Sequence, residues 1–523
     1  MVARRTARVS LRGKGIDMFK PLFALAALAA LAAAPAAAQS PAPPAAAAPA
    51  FSPAPWVDDL AAMQQAMRTK YANLPWLLEE REVDLDALFT RAERLLRTAR
   101  SEAEAVAIFN RLVQRIADGH VALNWPRPPA PTAAPAAPAP AAAPVNAADF
   151  CRARGYDSGQ ASPGLALALA GYTPLDADPV LPAATFTSGG TRYGILRIGV
   201  FDPHGFPTLC TDAVAALSVP LDRPCDEACD NAIVTHAYRR LTAAMIERLA
   251  RLRTAGAEIL LVDVTGNGGG SEWTEAAARM LTPRPLQSAR LAFARTPHWA
   301  GIWGRLEDRL RGFAASARGT ERARLLAWAA EAASAKAEAS RRCPPSGDPA
   351  CPWLGRAGFS TGLVGRVREG EFLEEEWGPW IFNPGQHPYR EGAWSGPVLV
   401  LTDQETWSAA EQFAAVLQDN RAALLVGART GGSGCGYSWG GDPTRLPNSG
   451  ATLQLPDCVR LRADGSNEVR GIIPDLLLGW RANDGRAFRA RMLEAALPEA
   501  ARRARALHAG ASAEATWQSA EAR

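Results

Sequence analysis

Residues 397–419 read PVLVLTDQETWSAAEQFAAVLQD. Pro397–Leu401 is a short apolar run bounded by a proline and by Thr402-Asp403, which is the pattern of a strand buried on both faces. From Ser408 to Asp419 the apolar positions Ala410, Phe413, Ala414 and Leu417 fall at helical spacing. A buried strand running straight into a helix is the building unit of an α/β fold. The same unit recurs on either side. Tyr193–Val200 (YGILRIGV) and Ile259–Val264 (ILLVDV) are apolar strands, with a helix of about 232–254 between them. Ala423–Val426 and Leu453–Leu461 continue the pattern. An α/β core is therefore expected over about 148–500, with residues 485–523 helical at its end.

The N-terminal stretch does not belong to that core. Arg4, Arg5, Arg8, Arg12, Lys14 and Lys20 precede an Ala/Leu run from Pro21 to Ala34, and Ala36-Ala37-Ala38 supplies small residues for cleavage. Residues 1–38 thus read as a secretory signal peptide, with Met18 an alternative start. No Cys follows the cleavage point to carry a lipid, and no other apolar run is long enough to span a bilayer. A periplasmic or secreted protein is expected, with no stable membrane insertion after cleavage. Losing this segment removes six basic residues and one acid (Asp17) from the formal +4, leaving about −1. The basic balance thus belongs to the leader, and nothing points to nucleic acid. All eight Cys lie beyond it, an even count that suits disulfides in an exported chain. Cys343–Cys351, closing a Pro-rich loop, and Cys435–Cys458 are the expected pairs; the other four are left unassigned. Cys225 and Cys229 lack a second pair or nearby His, so no zinc site is expected.

Pro/Ala-rich segments at about 39–55 and 126–147 read as extended linkers. Between them, residues 56–125 form three amphipathic helices. Leu60, Met63, Met67 and Tyr71 share a face, as do Leu85, Leu88, Phe89, Ala92 and Leu96, and then Val106, Phe109, Val113 and Ile116. Ser101 and Glu104 form a capping box for the third. Residues of about 285–394 read as a largely helical insertion between two core strands, Ala/Arg/Glu-rich from 300 to 341. Seven of the fifteen Trp lie between Trp299 and Trp394, which favours a core of the insertion's own over a substrate surface.

Four places could carry chemistry, each with a plainer reading. In Thr406-Trp407-Ser408-Ala409-Ala410-Glu411 a Ser hydroxyl stands at a helix N-terminus, where free N–H groups favour developing negative charge. Ser-x-x-Glu is equally an ordinary capping box. Asp263-Val264-Thr265-Gly266-Asn267-Gly268-Gly269-Gly270 follows a strand, and its glycines allow close backbone approach to an oxyanion. It lacks the Lys-Ser/Thr of a phosphate loop, and its plainer reading is a tight turn. Asp118-Gly119-His120 ends the helical unit, where a lone His is commonly only a partner for the helix dipole. No two of the six His have metal-site spacing, so neither metal nor cofactor is expected. Glu468-Val469-Arg470-Gly471-Ile472-Ile473-Pro474-Asp475 is an acid before a turn and a short strand.

Taken together and in this order, with YGILRIGVF, LQDN (417–420) and VGARTGG (426–432), these motifs resemble the tail-specific, C-terminal-processing serine proteases. That family's relatives include the tricorn protease core and interphotoreceptor retinoid-binding protein. The resemblance covers about 56–480 outside the insertion. It implies a ββα crotonase/Clp-protease-like mixed core, an N-terminal three-helix domain and a peptide or protein substrate. Three departures stand out. The peptide-binding PDZ module is not recognisable, since 148–190 is too short. Thr265 stands where the family commonly has Arg. Ser433, in Gly431-Gly432-Ser433-Gly434, stands where Ser–Lys members carry the lysine.

Only Lys70 and Lys336 lie beyond the leader, and neither position suits a buried base. The tricorn branch instead uses Ser, His and Glu, and this resemblance implies Ser408 as nucleophile, His120 as base and then acid, and Glu468 as an indirect orienter of the His. It implies N–H groups of Ala409 and of Gly268 or Gly269 as the oxyanion hole, with Gly269 preferred as deeper in the turn. Asp419 matches an acid of the Ser–Lys members and is expected to be structural. A ligand-binding module of the same fold, or an esterase using the same residues, are the alternatives.

Overall fold

The computed structural model describes residues 51–126, 146–343 and 350–521, apart from 369, 373 and 482. The expected signal peptide and most of both Pro/Ala segments lie outside the described residues.

The chain opens with α1 (Ala54–Lys70), α2 (Leu85–Arg97) and α3 (Glu102–Ile116), then β1 (Ala122–Asn124). Local chemistry sets the helix ends. Asp84 accepts the Ala87 N–H at the start of α2, and Ser101 accepts the Glu104 N–H at 3.2 Å at the start of α3. Met63, Met67, Phe89, Leu96, Phe109 and Ile116 are buried between the three helices. They are not alone there: Leu446, Leu453 and Val469, from the far end of the chain, complete the same core.

Next come α4 (Ala147–Ala153), β2 (Thr173–Pro174), β3 (Ala183–Ser188), β4 (Thr191–Arg197), α5 (Pro207–Ala216), α6 (Glu227–Thr254) and β5 (Ile259–Asp263). After α7 (Trp273–Arg279), the insertion holds β6 (Arg290–Ala294), α8 (Pro297–Ser316), α9 (Gly319–Ser340), β7 (Leu354–Phe359) and α10 (Gly378–Ile381). The chain then returns through β8 (Val398–Thr402), α11 (Ala409–Asp419), β9 (Leu424–Gly427), β10 (Thr444–Arg445), β11 (Thr452–Gln454), β12 (Cys458–Leu461), β13 (Leu476–Leu477) and α12 (Arg486–Glu521).

The central sheet runs β13-β9-β8-β5-β4-β3-β2, parallel from β13 to β4 and antiparallel beyond. Alternate side chains of its middle strands enter different cores. Leu260, Val262, Val398 and Val400 pack with α6, α7 and α11, while Ile259, Leu261, Leu399 and Leu401 pack with α12. Both faces are covered, which is why these strands read as unbroken apolar runs.

Two further sheets matter for the site. β12, β6 and β7 form an antiparallel sheet, so the insertion contributes strands as well as the expected helices. β1, β11 and β10 form another, which sews the helical unit to the core through Ala122↔Gln454 and Asn124↔Thr452. The single strand expected over Leu453–Leu461 is instead two strands in two sheets. Pro456 lacks the N–H a continuous ladder needs, and the chain turns there.

Of the inserted tryptophans, Trp299, Trp303 and Trp377 do form a core between α8, α9 and α10. Trp394 joins the central core, and Trp353 donates to the Tyr71 carbonyl at 3.0 Å. Four disulfides are present: Cys343–Cys351 and Cys435–Cys458 as expected, with Cys151–Cys210 and Cys225–Cys229 completing the set. No described helix is long and apolar enough to cross a membrane.

Candidate active site

β8 ends in a turn whose own groups hold it. The Asp403 N–H donates to Thr406 Oγ1 at 3.0 Å, and the Trp407 N–H reaches the Asn267 carbonyl at 2.9 Å. Ser408 follows with φ 56° and ψ −118°, a backbone conformation that costs a non-glycine residue about 1–3 kcal/mol. Ser408 Oγ makes no side-chain cap hydrogen bond to α11. The Glu411 N–H is taken by the Ser408 carbonyl at 3.0 Å, while Ser408 Oγ stands 3.1 Å from His120 Nε2.

Glu411 is the residue that the sequence undersells. Its carboxylate accepts five hydrogen bonds, from the N–H groups of Ser408, Gly432, Ser433 and Gly434 and from Thr430 Oγ1, at 2.6–3.2 Å. Half of a capping box has thus become a clamp joining the start of α11 to the loop 430–434. Burial, with Glu468 nearby, raises the Glu411 pKa to about 7.

His120 arrives from the helical unit. Asp118 shapes its turn by accepting the His120 N–H at 2.9 Å, and is itself held by Tyr71 Oη and Asn73 Nδ2 at 2.8 and 2.9 Å. Gly119 lets this turn lie against Ser433, whose hydroxyl a Cβ would strike. His120 Nδ1 is 2.8 Å from the Ser433 carbonyl. A carbonyl only accepts, so Nδ1 carries the proton and Nε2 presents a lone pair to Ser408 Oγ. The residue at the lysine position therefore contributes its carbonyl to the site rather than its side chain. Tyr437 packs edge-on against the imidazole and donates to the His120 carbonyl. Desolvation pulls the His120 pKa below 6.5, with Asp118 acting in the opposite direction.

Glu468 does not touch His120. It forms a buried ion pair with Arg460, both oxygens at 2.7 Å, and Arg460 Nη2 donates to the carbonyls of Gly434 at 2.8 Å and Ser408 at 3.2 Å. The link to His120 runs through this arginine and the Ser433-Gly434 backbone. Arg460 escaped the sequence reading; the one signal was a charged residue inside the apolar strand CVRL. Asp419 pairs with Arg462 at 2.6 Å and accepts the Ala463 N–H, tying α11 to the end of β12.

The glycine loop lies on the other side of Ser408. Gly269 has φ 106°, and a Cβ there would stand 2.7 Å from the Ser408 Cβ, so only glycine fits. Its N–H, however, donates to Asn267 Oδ1 at 2.8 Å, and Asn267 Nδ2 is anchored on the Ile198 carbonyl at 2.9 Å. The N–H expected to face an oxyanion is thus already engaged at Gly269. Among the described residues no hydrogen bond takes the N–H of Gly268 or of Ala409. Two lysines are also accounted for: Lys70 pairs with Asp442 at 3.0 Å and Lys336 with Glu307 at 3.4 Å. No cluster that could hold a metal ion occurs among the described residues.

Residues 233–478 match Peptidase family S41. This match and the fold support a tail-specific S41 serine peptidase. Ser408, the glycine loop and Glu468 lie inside the matched S41 stretch and His120 lies before it. The fold is similar to that of mature CPAF, with a TM-score of 0.55 at 16% identity over 85% of this chain and 96% of that one. Mature CPAF complexed with lactacystin gives 0.53, also at 16% identity, over 85% and 97%. In sequence, a protein of Chlamydia trachomatis serovar D is 35% identical over 101 residues, 19% of this chain and 16% of that relative's length.

A cavity of about 760 Å³ adjoins the site. Its walls come from α8, the stretch 359–362 and residues 379–383 on one side, and from Gln412, Cys435, Tyr437 and Arg460 on the other.

Proposed function

We propose that the chain is an exported serine peptidase in which Ser408 attacks the peptide carbonyl. His120 Nε2 takes the Ser408 Oγ proton as the C–O bond forms, and the imidazolium keeps its Nδ1–H on the Ser433 carbonyl. The oxyanion is received by the N–H groups of Ala409 and Gly268, the first of them at the positive end of α11. His120 then passes its proton to the leaving amine, and water attacks the acyl-enzyme by the same route in reverse. Glu468 and Arg460 act as positioning residues, because they hold the carbonyls of Ser408 and Gly434 and touch no reacting atom.

The observation that carries this reading is the 3.1 Å approach of His120 Nε2 to Ser408 Oγ with Nδ1 committed to a carbonyl. A free serine is a poor nucleophile and needs an adjacent base in the right tautomer. Export is supported by the leader-like first 38 residues and the four disulfides. The cavity beside the site favours a second reading, a carrier of apolar ligands. Such a carrier needs neither the strained Ser408 backbone nor a fixed imidazole tautomer. Incubation of the purified protein with a fluorophosphonate, followed by peptide mapping, separates the two. Covalent modification at Ser408, lost in Ser408→Ala and His120→Ala, is the expected result; an unlabelled, folded protein sinks the peptidase.

A further inference from the structure

We infer that the cavity between α8 and the catalytic loops receives bulky apolar side chains of the substrate, on one fixed side of the scissile bond. This rests on the peptidase reading and adds a substrate class to it. The first support is continuity. Tyr437, whose ring packs on His120, lines the cavity, as does Gln412, one helical turn beyond Ser408. Arg460, which bonds the Ser408 carbonyl at 3.2 Å, lines it as well. A peptide held with its carbonyl against Ser408 Oγ therefore has a neighbouring side chain beside this opening.

The second support is chemistry. The surfaces supplied by α8 are Trp299, Ile302, Trp303, Leu306 and Phe313, and Trp380 stands opposite. At about 760 Å³ the space exceeds any single side chain and falls in the ~300–1,000 Å³ range of sites that bury most of a ligand. Burying apolar surface there contributes about 25 cal/mol per Å², so large side chains gain most. Charges also touch the cavity, but they do not redirect it. Arg460 is neutralised by Glu468, Arg309 lies over the Trp380 ring at 4.3 Å, and Arg305 lies 5.9 Å from the Trp439 ring centre. Asp308 and Glu272 are the acids in the wall. With two guanidinium groups on the rim rings, a basic side chain is disfavoured there relative to a neutral one.

Gly312 provides a direct test. It lines the cavity from α8, has an ordinary helical backbone, and has nothing within 4 Å of where a Cβ would stand. A Cβ at position 312 therefore meets no clash, Gly312→Trp should set an indole over the cavity, and replacing a helical glycine favours the helix. Wild type and variant would be given a synthetic peptide library, and products read by mass spectrometry. The expected wild-type map shows Phe, Trp, Tyr, Leu or Met enriched at one fixed position beside the cut, with Lys and Arg depleted. In Gly312→Trp the kcat/KM ratio of a Phe substrate over its Ala counterpart should fall on the order of a hundredfold. Thermal denaturation checks that the variant is folded, and Trp380→Ala, which widens the rim, should lower the same ratio more modestly. A wild-type map indifferent to side-chain size, or an unchanged ratio in folded Gly312→Trp, overturns the inference and leaves the peptidase intact. A folded wild type that cuts nothing removes both.

Discussion

Ser408 and His120 meet at 3.1 Å across 288 residues of chain, and they are brought there in opposite ways. Ser408 is delivered locally. β8, a six-residue turn and α11 follow one another, and the clamp on the Ser408 N–H comes from Glu411 only three residues on. His120 is delivered by docking. Its turn is shaped by Asp118, its ring is fixed by the Ser433 carbonyl, and its whole unit is seated by β1 on β11 and by a shared core. The geometry of the proposed nucleophile is thus set largely within one segment, and that of the proposed base by the tertiary structure. Changes near Ser408 test chemistry; changes around His120 also test assembly.

The largest expected effect treats the two as one unit. Ser408→Ala and His120→Ala should each lower kcat by about a thousandfold or more, and the double variant should be no worse than the poorer single. Additive losses in steady-state kinetics would break the pairing. Because Ser408 Oγ caps nothing here, Ser408→Ala should escape most of the ~1 kcal/mol usually lost with an N-cap, as urea unfolding would report.

Glu468→Gln comes next and sharpens the docking side. It leaves Arg460 charged and buried without its carboxylate, a situation that costs about 3–5 kcal/mol when a buried pair is broken. The isosteric amide should bring this to the lower end, with a fall in kcat of about tenfold through the Gly434 and Ser408 carbonyls. Unchanged stability would mean that the ion pair does not hold the loop.

Asp118→Asn should act mainly on the pH profile. In the proposed mechanism neutral imidazole is the base, and burial holds its pKa below 6.5. In the wild type kcat/KM should therefore rise with pH through an apparent pKa under 6.5 and then level off. Asp118 favours the imidazolium, so removing its charge should move that limb to still lower pH. A limb that moves upward would contradict this sign. The smallest effect belongs to Lys70→Arg with Lys336→Arg. Hydrolysis should stay within about twofold, the change expected of surface groups outside the chemistry. Inactivity of that folded double variant would overturn the His base.

How much of this was legible depended on the distance over which each feature is decided. Apolar runs located β4, β5, β8 and β9, and capping chemistry located α3, because neighbours in sequence decide these. The break at Pro456 was visible as a residue but hidden by apolar positions on both sides of it. Strand β6 of the insertion pairs with β12, more than a hundred residues further on, and β7 pairs with β6 across the two long helices, so the helical composition around them prevailed. Arg460 becomes interpretable only beside Glu468, and Gly269 was preferred over Gly268 because the reach of the Asn267 side chain is invisible in a glycine run. Glu411 was noticed, but as a cap, since a loop twenty residues later supplies its remaining donors.

The strand pair β1–β11 has one more consequence. It joins the two halves of the candidate site through backbone hydrogen bonds and a common apolar core. The enzyme is in that sense a heterodimer written on one chain. On the proposed mechanism, protein cut between Trp125 and Asn146 after folding should therefore stay associated and keep its activity.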